Sequence, residues 1–127
     1  MSLLPDDRRY AKSHEWALDN GDGTISVGIT DHAQELLGDV VFVELPAVGR
    51  IVAAGGECAL VESVKAASDI YSPISGEILA VNPVIAESPE VINQDPYGAG
   101  WLFRVRLVNP GEFQALMDGD TYLTGLD

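Results

Sequence analysis

The sequence predicts a mainly β fold of two packed antiparallel sheets, and three observations carry that expectation. Residues 24–30 alternate polar and apolar, the period of a strand with one wet and one buried face. Further short apolar runs follow, each closed by Pro or Gly punctuation. The chain also repeats itself. Pro46-Ala47-Val48-Gly49-Arg50-Ile51-Val52-Ala53 agrees with Pro73-Ile74-Ser75-Gly76-Glu77-Ile78-Leu79-Ala80 at Pro, Gly, Ile and Ala, with an offset of 27 residues. In each copy a turn ends at Gly and opens a short strand, so the copies read as halves of a sandwich related by a quasi-two-fold axis. A chain of 127 residues holds one domain, 1–127, with a core that needs no disulfides.

The elements follow in chain order. Asn20-Gly21-Asp22-Gly23 tolerates left-handed backbone and joins 14–18 to 24–30 as a hairpin. Asp31 is placed to cap a short helix over 31–37, with Gly38 as its stop. Residues 40–45, 51–53, 58–62, 68–71, 76–81 and 101–108 read as strands. Asn109-Pro110 supplies an N-cap with Pro at the first helical position, where its missing N–H costs nothing. A C-terminal helix over 110–118 through Phe113, Leu116 and Met117 is expected to cover an open end of the sheets.

Composition excludes several classes of function. Twenty acidic against seven basic residues give a formal charge of −13. Nucleic acid and anionic membranes are therefore poor partners, and partner surfaces are expected to be basic and salt-sensitive. With 46% hydrophobic residues the acidity rides on a foldable chain. No apolar run approaches membrane-spanning length, and residues 1–10 lack the pattern of a signal or transit peptide. A cytoplasmic location is expected, or the mitochondrial matrix if a presequence has been removed. The single Cys58 precludes an internal disulfide and reads as a small core residue.

The residue that demands a role is Lys65, one of two lysines, which lies between the repeat copies on a linkage between two predicted strands that lacks Gly and Pro. Between two predicted strands it sits at a hairpin tip with its stem in solvent. Small Ala66 and Ala67 leave its ammonium open, and Glu62 stands three residues upstream. His14 and His32 lack any ligand spacing and read as packing or cleft-shaping residues, so no metal site is assigned. Gly21-Asp22-Gly23 and Gly55-Gly56 lack the helix and lysine of a phosphate loop. A small acidic hydrolase using His14 and Glu15, and a purely structural binding module, are the competing readings.

Glu62-Ser63-Val64-Lys65-Ala66-Ala67-Ser68-Asp69, followed by Ser72-Pro73-Ile74-Ser75-Gly76-Glu77-Ile78, resembles the lipoyl-attachment segment of the glycine cleavage system H-protein family. The likeness continues in order through His14-Glu15-Trp16, the stretch from Val27 to Gln34, Leu37-Gly38, Val43-Glu44-Leu45-Pro46, Ser88-Pro89 and the region from Pro96 to Trp101. Biotinyl carrier domains share the hairpin lysine but usually flank it with Met, where this chain has Val64 and Ala66.

The resemblance implies a lipoyl-domain-like barrel-sandwich and a covalent lipoate on Lys65. It implies no catalytic residue in the chain itself. The protein would be a monomeric carrier taking an aminomethyl group from glycine decarboxylase to a tetrahydrofolate-dependent aminomethyltransferase, with dihydrolipoyl dehydrogenase reoxidising the arm. A lipoate ligase or a lipoyl/octanoyl transferase would attach the arm, with Glu62 and Gly76 matching recognition positions. Ser13, Glu15 and Asp69 would line a cleft that shelters the loaded arm. A second role within the same fold is a lipoate relay that donates the cofactor to other proteins.

Overall fold

The computed structural model describes residues 4–126. Nine strands form two antiparallel sheets. β1 (Arg9–Tyr10), β2 (Glu15–Asp19), β3 (Thr24–Ile29), β9 (Phe103–Arg106), β8 (Gly76–Val81) and β5 (Ile51–Val52) make the larger one in that order. The smaller sheet is β4 (Val40–Glu44), β6 (Glu57–Ser63) and β7 (Ala67–Tyr71). Between them lies an aliphatic core including Ile25, Val27, Val61, Ile70, Ile74, Ile78 and Val105. The repeat copies meet as neighbours, because β5 pairs antiparallel with β8 through Ile51↔Glu77 and Val52↔Gly76. Gly49 N donates to Ile78 O at 2.8 Å and Ile78 N donates to Arg50 O at 2.9 Å, so the copies zip together around a local two-fold.

The expected strands are present with ends moved by a residue or two, β6 and β7 lengthened and most of the others shifted or trimmed. The span 101–108 contracts to β9 because Leu102 N leaves the ladder for Val27 O and Leu107 N turns to Gly23 O. The short helix α1 covers Asp31–Leu37, but its cap is Thr30 rather than Asp31. Thr30 holds extended backbone and its Oγ1 accepts from Ala33 N at 3.2 Å, while Asp31 Oδ1 accepts from Gln34 Nε2 at 2.8 Å. Two one-turn helices absent from the sequence reading, α2 (Pro83–Glu87) and α3 (Val91–Gln94), fill the connection from β8 to β9.

Beyond the expected range α5 (Gly119–Gly125) forms a further helix, and the expected helix over 110–118 contracts to α4 (Pro110–Gln114). Met117 breaks it by exchanging both backbone hydrogen bonds with Tyr10, at 2.8 and 2.9 Å. Asp118 then caps α5 by accepting from Thr121 N at 2.8 Å. Around that break Tyr10, Trp16 and Tyr122 form a separate aromatic core. Arg8 lies over the Trp16 ring at 4.7 Å, and Trp16 Nε1 donates to Pro96 O at 3.0 Å. Among the described residues no helix is long and apolar enough to cross a membrane.

Candidate functional site

Lys65 lies in the turn joining β6 to β7 and is exposed. The turn closes without glycine because a side chain substitutes for a carbonyl. Ser63 N donates to Ala66 O at 2.8 Å, while Ser63 Oγ accepts from Lys65 N at 3.2 Å and from Ala66 N at 3.1 Å. Val64 N donates to Asp39 O at 3.0 Å, which moors the tip to the loop after α1. The lysine stem does not stand free as expected but leans over Gly38. A Cβ built there would come within 3.0 Å of Lys65 Cε and 3.6 Å of Nζ. Gly38 also holds φ +78 as the C-cap of α1, and that conformation is what selects glycine there, since the flexible lysine stem could move aside. Among the described residues Lys65 has no ion-pair partner, which leaves its Nζ available for acylation.

Beside the tip runs a cleft of about 260 Å³ between α1 and β7. Ile29, Leu36, Leu37, Ala66 and Ile70 give it apolar walls, and Ser13, His14 and Ser68 add polar groups. Glu15 underlies the Ser13 side. Its side chain is buried, Ser13 Oγ donates to its Oε1, and Tyr71 N donates to its Oε2 at 3.1 Å. Burial pushes the Glu15 carboxyl up to about 7, against the lowering effect of both donors. The carboxylate thus links β2 of one sheet to the end of β7 in the other.

The remaining residues singled out from sequence occupy different places. Asp69 points away from the cleft, because side chains alternate across β7. Ser68 and Ile70 line the cleft, whereas Asp69 joins Glu44, Arg50, Glu57 and Leu60 around a second hollow of about 590 Å³. Glu62 is half-buried on β6, paired with Phe42 and Ala67, close to the tip. Gly76 lies on β8, where a Cβ would stand 2.0 Å from Arg106 O and 2.7 Å from Val105 Cγ1. Close packing accounts for this glycine without any partner. Cys58 is buried with its Sγ 3.5 Å from Ile70 O, and burial pushes its thiol up to about 12.

Several contributors were not visible in the sequence reading. Asn93 of α3 braces the loop that receives Lys65, donating to Gly38 O at 2.8 Å and accepting from Val40 N at 2.9 Å. Glu112 of α4 accepts from Ser75 N and Ser75 Oγ at 2.9 and 2.8 Å, fixing the turn before Gly76. Nothing local marks either residue; the Pro96-Tyr97 and Ser88-Pro89 punctuation around Asn93 signals only a compact connection. His14 and His32, far apart in the chain, bring their rings within 4.8 Å. Burial, with His32 nearby, holds His14 below the ordinary imidazole range. Among the described residues no group of three or more His, Cys, Asp or Glu side chains is placed to hold a metal ion.

Comparison with known proteins agrees with this geometry. The sequence model of the family "Glycine cleavage H-protein" matches residues 8–126. The chain is 59% identical over 127 residues to the glycine cleavage system H protein of Aeromonas hydrophila, covering 100% of this chain and 98% of that one. It is 56% identical over 122 residues to the Laribacter hongkongensis protein of the same name, covering 96% of each. The crystal structure of the glycine cleavage system H protein from Mycobacterium marinum superposes with a TM-score of 0.87 at 43% identity, covering 95% of this chain and 97% of that one. The chain belongs to the glycine cleavage H-protein family, the lipoyl-bearing shuttle of the glycine cleavage system.

Proposed function

From membership of that family we propose that Lys65 is the residue that carries lipoate, and that the chain acts as carrier and substrate rather than as an enzyme. The observation behind this reading is the juxtaposition of an exposed, unpaired Lys65 with an apolar-walled cleft that opens at its hairpin. Bound through an amide, lipoate supplies a reducible disulfide that accepts the aminomethyl group of glycine. Acylation removes the lysine charge, which takes the chain from −13 to −14. Lysine stem and acyl chain together offer roughly a dozen bonds of about 1.5 Å, a radius on the order of 15 Å. The moored turn holds the root of the arm while the cleft walls exclude water from it.

Ser13 forms the polar end of the cleft, with the buried Glu15 directly behind it. A carboxylate set under an apolar wall holds a bound ammonium more strongly than a surface carboxylate does. Asp69, across β7, adds negative charge near the root of the arm rather than to the cleft wall. Glu62, three residues before the lysine, serves as the recognition feature for the ligase or transferase, and Gly76 acts in that recognition through the strand it allows to pack. Glycine decarboxylase, aminomethyltransferase and dihydrolipoyl dehydrogenase are the partners that the arm visits, in the bacterial cytoplasm.

The test is the intact mass of the chain coexpressed with a lipoate ligase and supplied with lipoate, followed by peptide mapping. One lipoyl amide confined to Lys65 is expected. An unmodified chain, under conditions that modify a control lipoyl domain, removes the carrier reading.

A further inference from the structure

Helix α5 lies outside the hairpin that carries Lys65, yet one of its side chains reaches the cleft wall. Tyr122 is 2% exposed, and its hydroxyl stands 2.7 Å from His14 Nδ1 and 2.8 Å from Thr30 Oγ1. Thr30 is itself tied to His14, since Thr30 N donates to His14 O at 3.0 Å. Its Oγ1 also accepts from Ala33 N as the cap of α1. The phenol therefore closes a ring that joins the segment before β2 to the helix forming one wall of the cleft.

What the ring encloses is strained backbone. His14 is the only non-glycine residue with positive φ among the described residues, at φ 74. A side-chain-bearing residue enters that region at a cost and stays there only when its surroundings hold it. The bend at His14 sets Ser13 and Glu15 against one another, Ser13 on the cleft and Glu15 beneath it on Tyr71 N. Packing alone does not require the hydroxyl, because a phenylalanine ring would stack on Tyr10 equally well at the observed 5.0 Å.

We propose that Tyr122 is a positioning residue for the arm cleft: its hydroxyl locks left-handed His14 onto the Thr30 cap of α1 and so holds Ser13 and Glu15 at the wall beside Lys65. This rests on the reading of that cleft as the shelter of the loaded arm.

The test uses the full chain and a Tyr122→Phe variant with two readouts. In the bare protein, native-state hydrogen exchange at the Tyr71 amide, held by Glu15, should become about fivefold faster, the scale of one ordinary hydrogen bond, while the Val27 and Val105 amides keep their protection. In the lipoylated protein charged with the aminomethyl group, spontaneous release of ammonia without tetrahydrofolate should become faster by a similar factor. Adding His14→Asn, which enters the left-handed region readily, should restore Tyr71 protection in the Tyr122→Phe background. Unchanged exchange at Tyr71 in Tyr122→Phe, or no recovery in the double variant, overturns the clamp. Failure of Lys65 to accept lipoate would defeat the carrier reading and with it the arm's place in the cleft, whereas the clamp on Ser13 and Glu15 stands or falls on the exchange experiment, which needs no cofactor.

Discussion

The two repeat copies share a pattern and lead opposite lives. Ile51 in the first is 72% exposed, and Ile78 at the equivalent place in the second is completely buried. A Cβ at Gly49 would meet nothing within 4 Å, whereas one at Gly76 would strike the Arg106 carbonyl. Position in the sheet explains the difference. β5 is a two-residue edge strand, and β8 has β5 on one side and β9 on the other. The second copy is also held from outside its own strand by Glu112 on Ser75, and the strand leading into it by Glu15 on Tyr71. Equivalent residues therefore contribute according to what the rest of the chain stacks against them.

The largest effect should come from the paired glycine substitutions. Gly76→Ala forces β8 away from β9 and should cost more than about 4 kcal/mol, or abolish soluble expression. Gly49→Ala, strained only by its φ of 93, should cost about 1 kcal/mol. Equal losses on chemical denaturation would break the comparison. Next, Ile78→Ala should lose about 3.5 kcal/mol through its cavity, and Ile51→Ala should stay within about 0.5 kcal/mol.

Glu15 sharpens the comparison through pH. Its folded pKa of about 7 lies above the ordinary 4.5, so the native state holds the proton more tightly than the unfolded chain. Its contribution to stability is full below pH 4.5 and is lost as pH rises to about 7, a change on the order of 3 kcal/mol. Glu15→Gln should flatten that part of the stability profile, and an unaltered slope would remove Glu15 as its source. Glu112→Ala should cost about 1–2 kcal/mol from the two hydrogen bonds to Ser75. Thermal unfolding alongside Ser75→Ala would show whether the two losses overlap.

Much of this architecture is legible in local pattern. The alternation of 24–30, the Asn20 to Gly23 turn and the repeat around Gly49 and Gly76 each mark an element that the structure contains. Where the reading strayed, the cause was in one case a distant partner and in others local backbone geometry. Met117 ends a helix because Tyr10 takes its backbone hydrogen bonds, and Thr30 displaces Asp31 as the cap because its extended backbone aims Oγ1 at Ala33 N. Ser13 reaches the cleft with buried Glu15 behind it, whereas Asp69 goes to another hollow through the alternation of β7.

By itself the sequence determined the strand periods, the glycine-free lysine turn, the acidity and the family, since each depends on residues close in the chain or on composition. Only the tertiary structure decided which copy of the repeat is buried, that Lys65 leans on Gly38, and that Tyr122 reaches His14. Those outcomes depend on contacts between segments up to 108 residues apart, where no local propensity acts and only the packing of the whole chain selects the neighbour.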